Sequence, residues 1–232
     1  MKVLYLYSGS RTSSFQGTPG VDYPDTQLYG LNHLSDFGIE AEYKELNDLF
    51  GGSALFSKIP FRLRHFFSYF FIAQGRYDVV FGASLLYMLP LKKLMRPRTK
   101  FVFLNLSLTR ILRAHAPGTF KRKVLDWLIK DLDAVVCLSV AQRTEFIAHA
   151  PSFAAKTSVV LLGADTYYYQ PTYDGRSNVI LSVGRDNGRD YRTLVETARI
   201  LPEYAFEIVC SKRNMKGIEN MPDNVKIFYD MP

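Results

Sequence analysis

At 232 residues the chain is long for one average domain and short for two. Its 47% hydrophobic and 22% charged content excludes a disordered or fibrous chain. The longest uncharged run, Val79–Leu91, is 13 residues and contains Pro90, short of the roughly 18 apolar residues a spanning helix needs. The amino-terminal MKVLYLYSGSR has too brief an apolar core for a secretory signal. Two cysteines, Cys137 and Cys210, lie in apolar runs, which excludes a disulfide framework or a cysteine metal site and suits a reducing compartment. The net charge of +7 is concentrated: 15 Lys and Arg between Lys58 and Lys130 face only Asp78 and Asp126, so the remainder is net acidic. A field of this kind either attracts a polyanion (anionic lipid, nucleic acid or phosphorylated substrate) or simply forms a solvated face.

In chain order, Lys2–Tyr7 is a strand leading into a polar, glycine-containing loop, Ser8–Asp25. Leu28, Leu31 and Leu34 predict a helix over Thr26–Phe37, stopped by Gly38. Glu40–Glu45 reads as a strand, and Pro60 opens a helix through Phe61–Ala73. A strand over Asp78–Phe81, a helix over Leu85–Leu94, a strand over Phe101–Leu106 and a helix over Phe120–Lys130 follow. Ala134–Leu138, Ala141–Ala148 and Ser158–Leu161 add a strand, a helix and a strand. Strands alternating with helices predict an α/β fold, a parallel sheet with helices on both faces. Gly163–Gly175 breaks the pattern as a linker. Beyond it come strands over Asn178–Val183, Ala205–Cys210 and Asn224–Phe228 and one helix over Tyr191–Leu201, an open half-domain that reads as a truncated unit.

The stretch from Ser158 to Asp230 carries an ordered set of features: Gly163-Ala164-Asp165, then Val183-Gly184-Arg185 at a strand end, then Arg189, then Thr193-Leu194 opening a helix. In this order it resembles the linker and first half of the C-terminal domain of family 4 glycosyltransferases of the GT-B fold. The resemblance implies two Rossmann-like domains: residues 1–168 binding acceptor, and 169–232 as the first half of the nucleotide-sugar domain. It implies a metal-independent, retaining transfer of sugar from a nucleotide-diphosphate sugar to a glycan or lipid-linked acceptor. Arg185 and Arg189 would grip the diphosphate, with no cofactor beyond that co-substrate. The residues make physical sense of this: Arg185 leaves the carboxyl end of a parallel strand, Gly184 and Gly188 admit phosphate, and guanidinium forks pair with phosphate oxygens. The competing reading pairs Arg185 and Arg189 with Asp186 and Asp190 as surface ion pairs.

On the acceptor side, the family's glycine-rich loop corresponds to Thr18-Pro19-Gly20-Val21, where Gly20 would approach the donor phosphate or simply form a turn. Where many relatives carry a histidine this sequence has Asn105, which can hydrogen-bond a sugar hydroxyl but cannot act as acid or base; His115 is the nearest substitute. The acidic residues that hold sugar and ribose in the family lie beyond this sequence, so the chain alone is expected to transfer no sugar.

Asp131-Leu132-Asp133 matches an Asp-x-Asp metal pattern but lies at a helix–strand junction expected to face solvent. His33, His65, His115 and His149 lack zinc spacing, and neither a Walker loop nor a full Gly-x-Gly-x-x-Gly occurs. Phe61–Phe71 mixes Arg62 and Arg64 with six aromatics. With Leu91–Arg96 and Lys121-Arg122-Lys123, this makes segment 58–130 a candidate docking surface for an anionic membrane, in keeping with a cytoplasmic enzyme peripheral to the inner membrane face. The rivals are a non-catalytic membrane- or acceptor-binding module with a vestigial second domain, and a sugar epimerase of the same shape. Nucleic-acid binding ranks last, since no binding motif accompanies the charge.

Overall fold

The computed structural model describes residues 1–9, 11, 24–46, 59–95, 98–170, 177–186 and 188–230. The chain divides into two units, Met1–Gln170 and Pro171–Pro232. In the first, strands β1 (Lys2–Tyr7), β2 (Glu40–Glu45), β3 (Val79–Gly82), β4 (Lys100–Leu104), β5 (Ala134–Cys137) and β6 (Thr157–Val159) pair in the order β2-β1-β3-β4-β5-β6. Every pairing is parallel. Such a sheet must be covered on both faces, which is why β1 reads as a continuous apolar run. Leu4 and Leu6 join one core and Val3, Tyr5 and Tyr7 the other.

The larger core is closed by helices α1 (Phe61–Gln74), α2 (Leu89–Met95), α3 (Leu108–Arg113), α4 (Phe120–Ile129) and α5 (Val140–His149). Tyr69, Ile72, Leu89, Leu112, Ile129 and Phe146 pack there against Val80, Phe101, Phe103, Val135 and Cys137. Leu28 and Leu31 cover the opposite face. The helix expected over Thr26–Phe37 is replaced by two 3₁₀ segments, Asp25–Leu28 and Leu31–Phe37. Between them Tyr29 and Gly30 take φ of 53° and 82°, a left-handed step that glycine makes at little cost. Tyr7 donates its hydroxyl to the Leu28 carbonyl at 2.7 Å and Tyr5 donates to that of Tyr29 at 3.3 Å, so the sheet takes acceptors a continuous helix would have used. The helix expected from Leu85 likewise begins as a 3₁₀ turn, Leu85–Met88, and becomes α-helical where Pro90 sits in the first turn of α2. Helix α3 and the 3₁₀ segment Pro151–Lys156 were not foreseen.

The second unit is a parallel sheet, β7 (Val179–Val183), β8 (Ala205–Cys210) and β9 (Val225–Tyr229), in that order. Helix α6 (Tyr191–Ile200) covers one face, burying Tyr191 and Val195 with Ile208, Cys210 and Met215. Val179, Leu181 and Val183 are exposed. Each unit thus holds one buried free cysteine, Cys137 in the first and Cys210 in the second, and burial pushes both thiols up. Among the described residues no helix is long and apolar enough to cross a membrane.

Candidate functional site

Ligands of open α/β sheets gather at the carboxyl ends of the strands. In the second unit that position is held by the Gly184–Asp190 loop. Tyr191, buried at the start of α6, donates its hydroxyl to the Gly184 carbonyl at 2.8 Å. From the turn after β8, Arg213 donates to the Arg185 carbonyl at 2.9 Å and Asn214 to that of Asp186 at 2.9 Å. The loop is therefore clamped from both neighbouring elements. Ser211 and Asn214 brace the second clamp as a reciprocal capping box. Arg185, Arg189 and Arg213 thereby cluster around one strand-end loop.

Within the loop Arg189 donates through Nε to Asp186 at 2.8 Å, and the Gly188 N–H donates to the same carboxylate at 2.9 Å. Those bonds, Arg189 first, hold the Asp186 carboxyl below its usual range. A Cβ at Gly184 would meet the Arg189 guanidinium, which would then have to shift. Of the surface ion pairs that the competing reading allowed, the one between Arg189 and Asp186 is present. Among the described residues Asp190 forms no salt bridge with an arginine. It caps α6, accepting from Thr193 N at 3.1 Å and Thr193 Oγ1 at 2.7 Å, and these bonds lower its carboxyl as well.

In the first unit the carboxyl end of β4 presents Asn105, and here the expectation is overturned. Asn105 is 0% exposed. Its amide donates to Thr109 Oγ1 at 2.8 Å and to Cys137 Sγ at 3.4 Å, while Oδ1 accepts from the Thr109 N–H at 3.2 Å. Gln142 takes its carbonyl at 2.6 Å. The side chain pins α3 to the sheet, and its complete burial keeps it from an acceptor hydroxyl. His115 is half-buried beyond the far end of α3, and its carbonyl accepts from Arg122 at 3.3 Å. Gly20 and the Thr18–Val21 loop lie outside the described residues.

The Gly163-Ala164-Asp165 motif closes back on the first unit. The Asp165 carboxylate accepts from the Tyr167 and Tyr168 N–H groups, each at 3.0 Å, and from Asp25 N at 3.2 Å. Those backbone donors, Tyr168 foremost, lower its carboxyl. This closure walls a mainly apolar cavity of about 620 Å³ between Tyr29, His33, Phe81, Leu104, Leu138 and Leu161. Sequence reading found the motif but not the cavity, whose walls come from segments far apart in the chain. Arg11, beside the carboxyl end of β1 and 5.4 Å from the Tyr7 ring centroid, was also missed.

Asp131 and Asp133 do not face solvent as an open pair. Lys92 and Lys100 bridge to Asp133, and Lys93 to Asp131 at 2.7 Å. Burial pushes the Asp133 carboxyl up, but the bonds from Lys92 and the Phe101 N–H outweigh it and leave it lowered. Among the described residues no group of three or more His, Cys, Asp or Glu is placed to hold a metal.

No protein-family model matches the chain, and no curated protein matches it. Solved structures do. HepE of Anabaena, solved with UDP and glucose, is 16% identical with a TM-score of 0.54, over 99% of this chain and 69% of that one. S. aureus MnaA, solved with UDP, is 10% identical at 0.54, again over 99% and 69%. A UDP-N-acetylglucosamine 2-epimerase is 9% identical at 0.54, over 100% of this chain and 69% of its own. Similarity at these identities concerns the fold: the chain has a partial GT-B-like α/β fold, the parallel α/β part of it as the alternation of strands and helices predicted and the GT-B likeness as the resemblance implied.

Proposed function

We propose that the chain belongs to a nucleotide-sugar enzyme, a glycosyltransferase similar to family 4, in which the first unit receives a glycan or lipid-linked acceptor and the second binds the donor diphosphate. The arginine-bearing Gly184–Asp190 loop at the carboxyl ends of β7 and β8 carries this reading. Arg185, Arg189 and Arg213 concentrate positive charge where a leaving diphosphate would accumulate negative charge, and preorganised cations there lower the barrier. The Arg189–Asp186 pair is exposed, and ion pairs in water contribute little. A diphosphate can therefore displace Asp186 at little cost, and until then the pair holds the guanidinium in place.

The test is thermal unfolding of the chain with UDP or with uridine. UDP should raise the midpoint, uridine should not, and R185A/R189A should abolish the response while far-UV circular dichroism stays native. Equal shifts with UDP and uridine, or no shift with either, would sink the diphosphate assignment and favour a non-catalytic module. A second reading, epimerisation, is supported by the likeness to a UDP-N-acetylglucosamine 2-epimerase. Appearance by NMR of an epimeric nucleotide sugar without any acceptor would select it.

A further inference from the structure

Helix α1 is apolar on the side turned away from the sheet. His65, Ser68, Tyr69 and Ile72 are buried, whereas Leu63, Phe67, Phe70 and Phe71 are 44–48% exposed. The exposed four recur at the spacing of a single helical stripe. Helix α4 repeats the arrangement: Phe120, Val124 and Trp127 lie one turn apart and are exposed. Between these helices, in contact with both, α2 ends in Leu94 and Met95, 79% and 50% exposed. A surface helix ordinarily turns such residues inward.

Beside this apolar surface, at the amino ends of β4, β5 and β6, lies a cavity of about 440 Å³ lined by Lys92, Lys93, Arg98, Lys100, Lys130 and Lys156. Asp131 and Asp133 are the carboxylates in its wall. They bridge to Lys92, Lys93 and Lys100, so positive charge remains in excess. Lys93 joins the two features, its Nζ lying 4.6 Å from the centroid of the Trp127 ring. Not all of the basic segment contributes. Arg122, read from sequence as part of the docking surface, is 5% exposed and spends its guanidinium on Asp126 and on the carbonyls of Leu112, His115 and His149.

We propose that this face docks on the surface of an anionic lipid leaflet, with Leu94, Met95, Trp127 and the outer stripe of α1 entering the headgroup boundary and the basic cavity taking lipid phosphates. Aromatic and aliphatic side chains gain by leaving water at that depth, and each Lys or Arg near an anionic leaflet contributes about 1 kcal/mol. A nucleic acid or a free phosphate would satisfy the cations but leave the apolar stripes in water; a leaflet satisfies both. The face lies at the opposite end of the strands from Asn105 and Arg11, so the assignment goes beyond the nucleotide-sugar reading and does not depend on it.

Trp127 is the sole tryptophan of the chain and reports on insertion directly. Vesicles of phosphatidylglycerol and phosphatidylcholine should shift its emission to the blue, brominated acyl chains should quench it, and the protein should co-sediment; pure phosphatidylcholine should produce none of these. L94A/M95A alters exposed side chains only and should weaken partitioning at least fivefold with native circular dichroism. R98E/K130E should weaken it at least tenfold and erase the preference for anionic lipid, since about 1 kcal/mol per cation is roughly fivefold each. Equal binding to both vesicle types, binding unaffected by either variant, or binding of inorganic phosphate or RNA without any vesicle-induced shift would each overturn the proposal. UDP stabilisation is read separately, so failure of one assignment leaves the other standing.

Discussion

His65 is the clearest case of a polar residue set against its surroundings. It sits on the buried face of α1, 0% exposed, with its ring centroid 5.5 Å from that of Tyr87. Burial, and next the neighbouring Arg64 charge, push its pKa down to about 4. In the unfolded chain the ring titrates near 6.5, so between those values the unfolded state binds a proton that the native state refuses. Stability is therefore complete above about pH 6.5 and falls as pH drops toward 4, by on the order of 3 kcal/mol if the whole shift is realised. Urea midpoints at pH 7.5 and pH 4.5 check this: the acid loss should shrink in H65N, and an unchanged loss would refute the assignment. Asn105 shows why such residues mislead when only sequence is read. Its position after a strand was visible, but α3, which buries it, was not, because Leu108 and Leu112 alone make too short a period to mark a helix.

Among the elements, α6 and its preceding loop were the most legible. Gly184, Arg189, Asp190 and Thr193 follow one another within ten residues, and each bonds within or beside that stretch. Arg213 and Asn214 were illegible because they reach the loop only through the parallel pairing of β7 with β8, some 28 residues away. The cap makes a direct prediction: D190A removes the acceptor for Thr193 N and should lower the unfolding midpoint, whereas D190N, which keeps an accepting oxygen, should restore most of it. Helix α1 illustrates the opposite limit. Its six aromatics stood out in the sequence, but which of them face the core did not, because so dense a run wraps around the helix and burial takes only part of it. The 26–37 segment failed because hydroxyl donors from β1 lie far away in sequence.

At the scale of the molecule, alternation of strand and helix was enough to read a parallel α/β architecture. Strand order was not, since periodicity says nothing about which strands become neighbours. The two sheets differ in cover: β1 is buried on both faces, whereas β7 turns Val179, Leu181 and Val183 to solvent. Opening free energy follows buried apolar contact, so amides of β7 should exchange with deuterium well before those of β1. Equal protection in a mass-resolved exchange experiment would contradict that ordering.

Cys137 and Cys210, one sealed in each unit with its thiol suppressed by burial, give the molecule two silent chemical stopwatches. A sulfhydryl reagent finds neither while both folds are shut, and the order in which it marks them, read by peptide mass, tells which half of the chain let water in first.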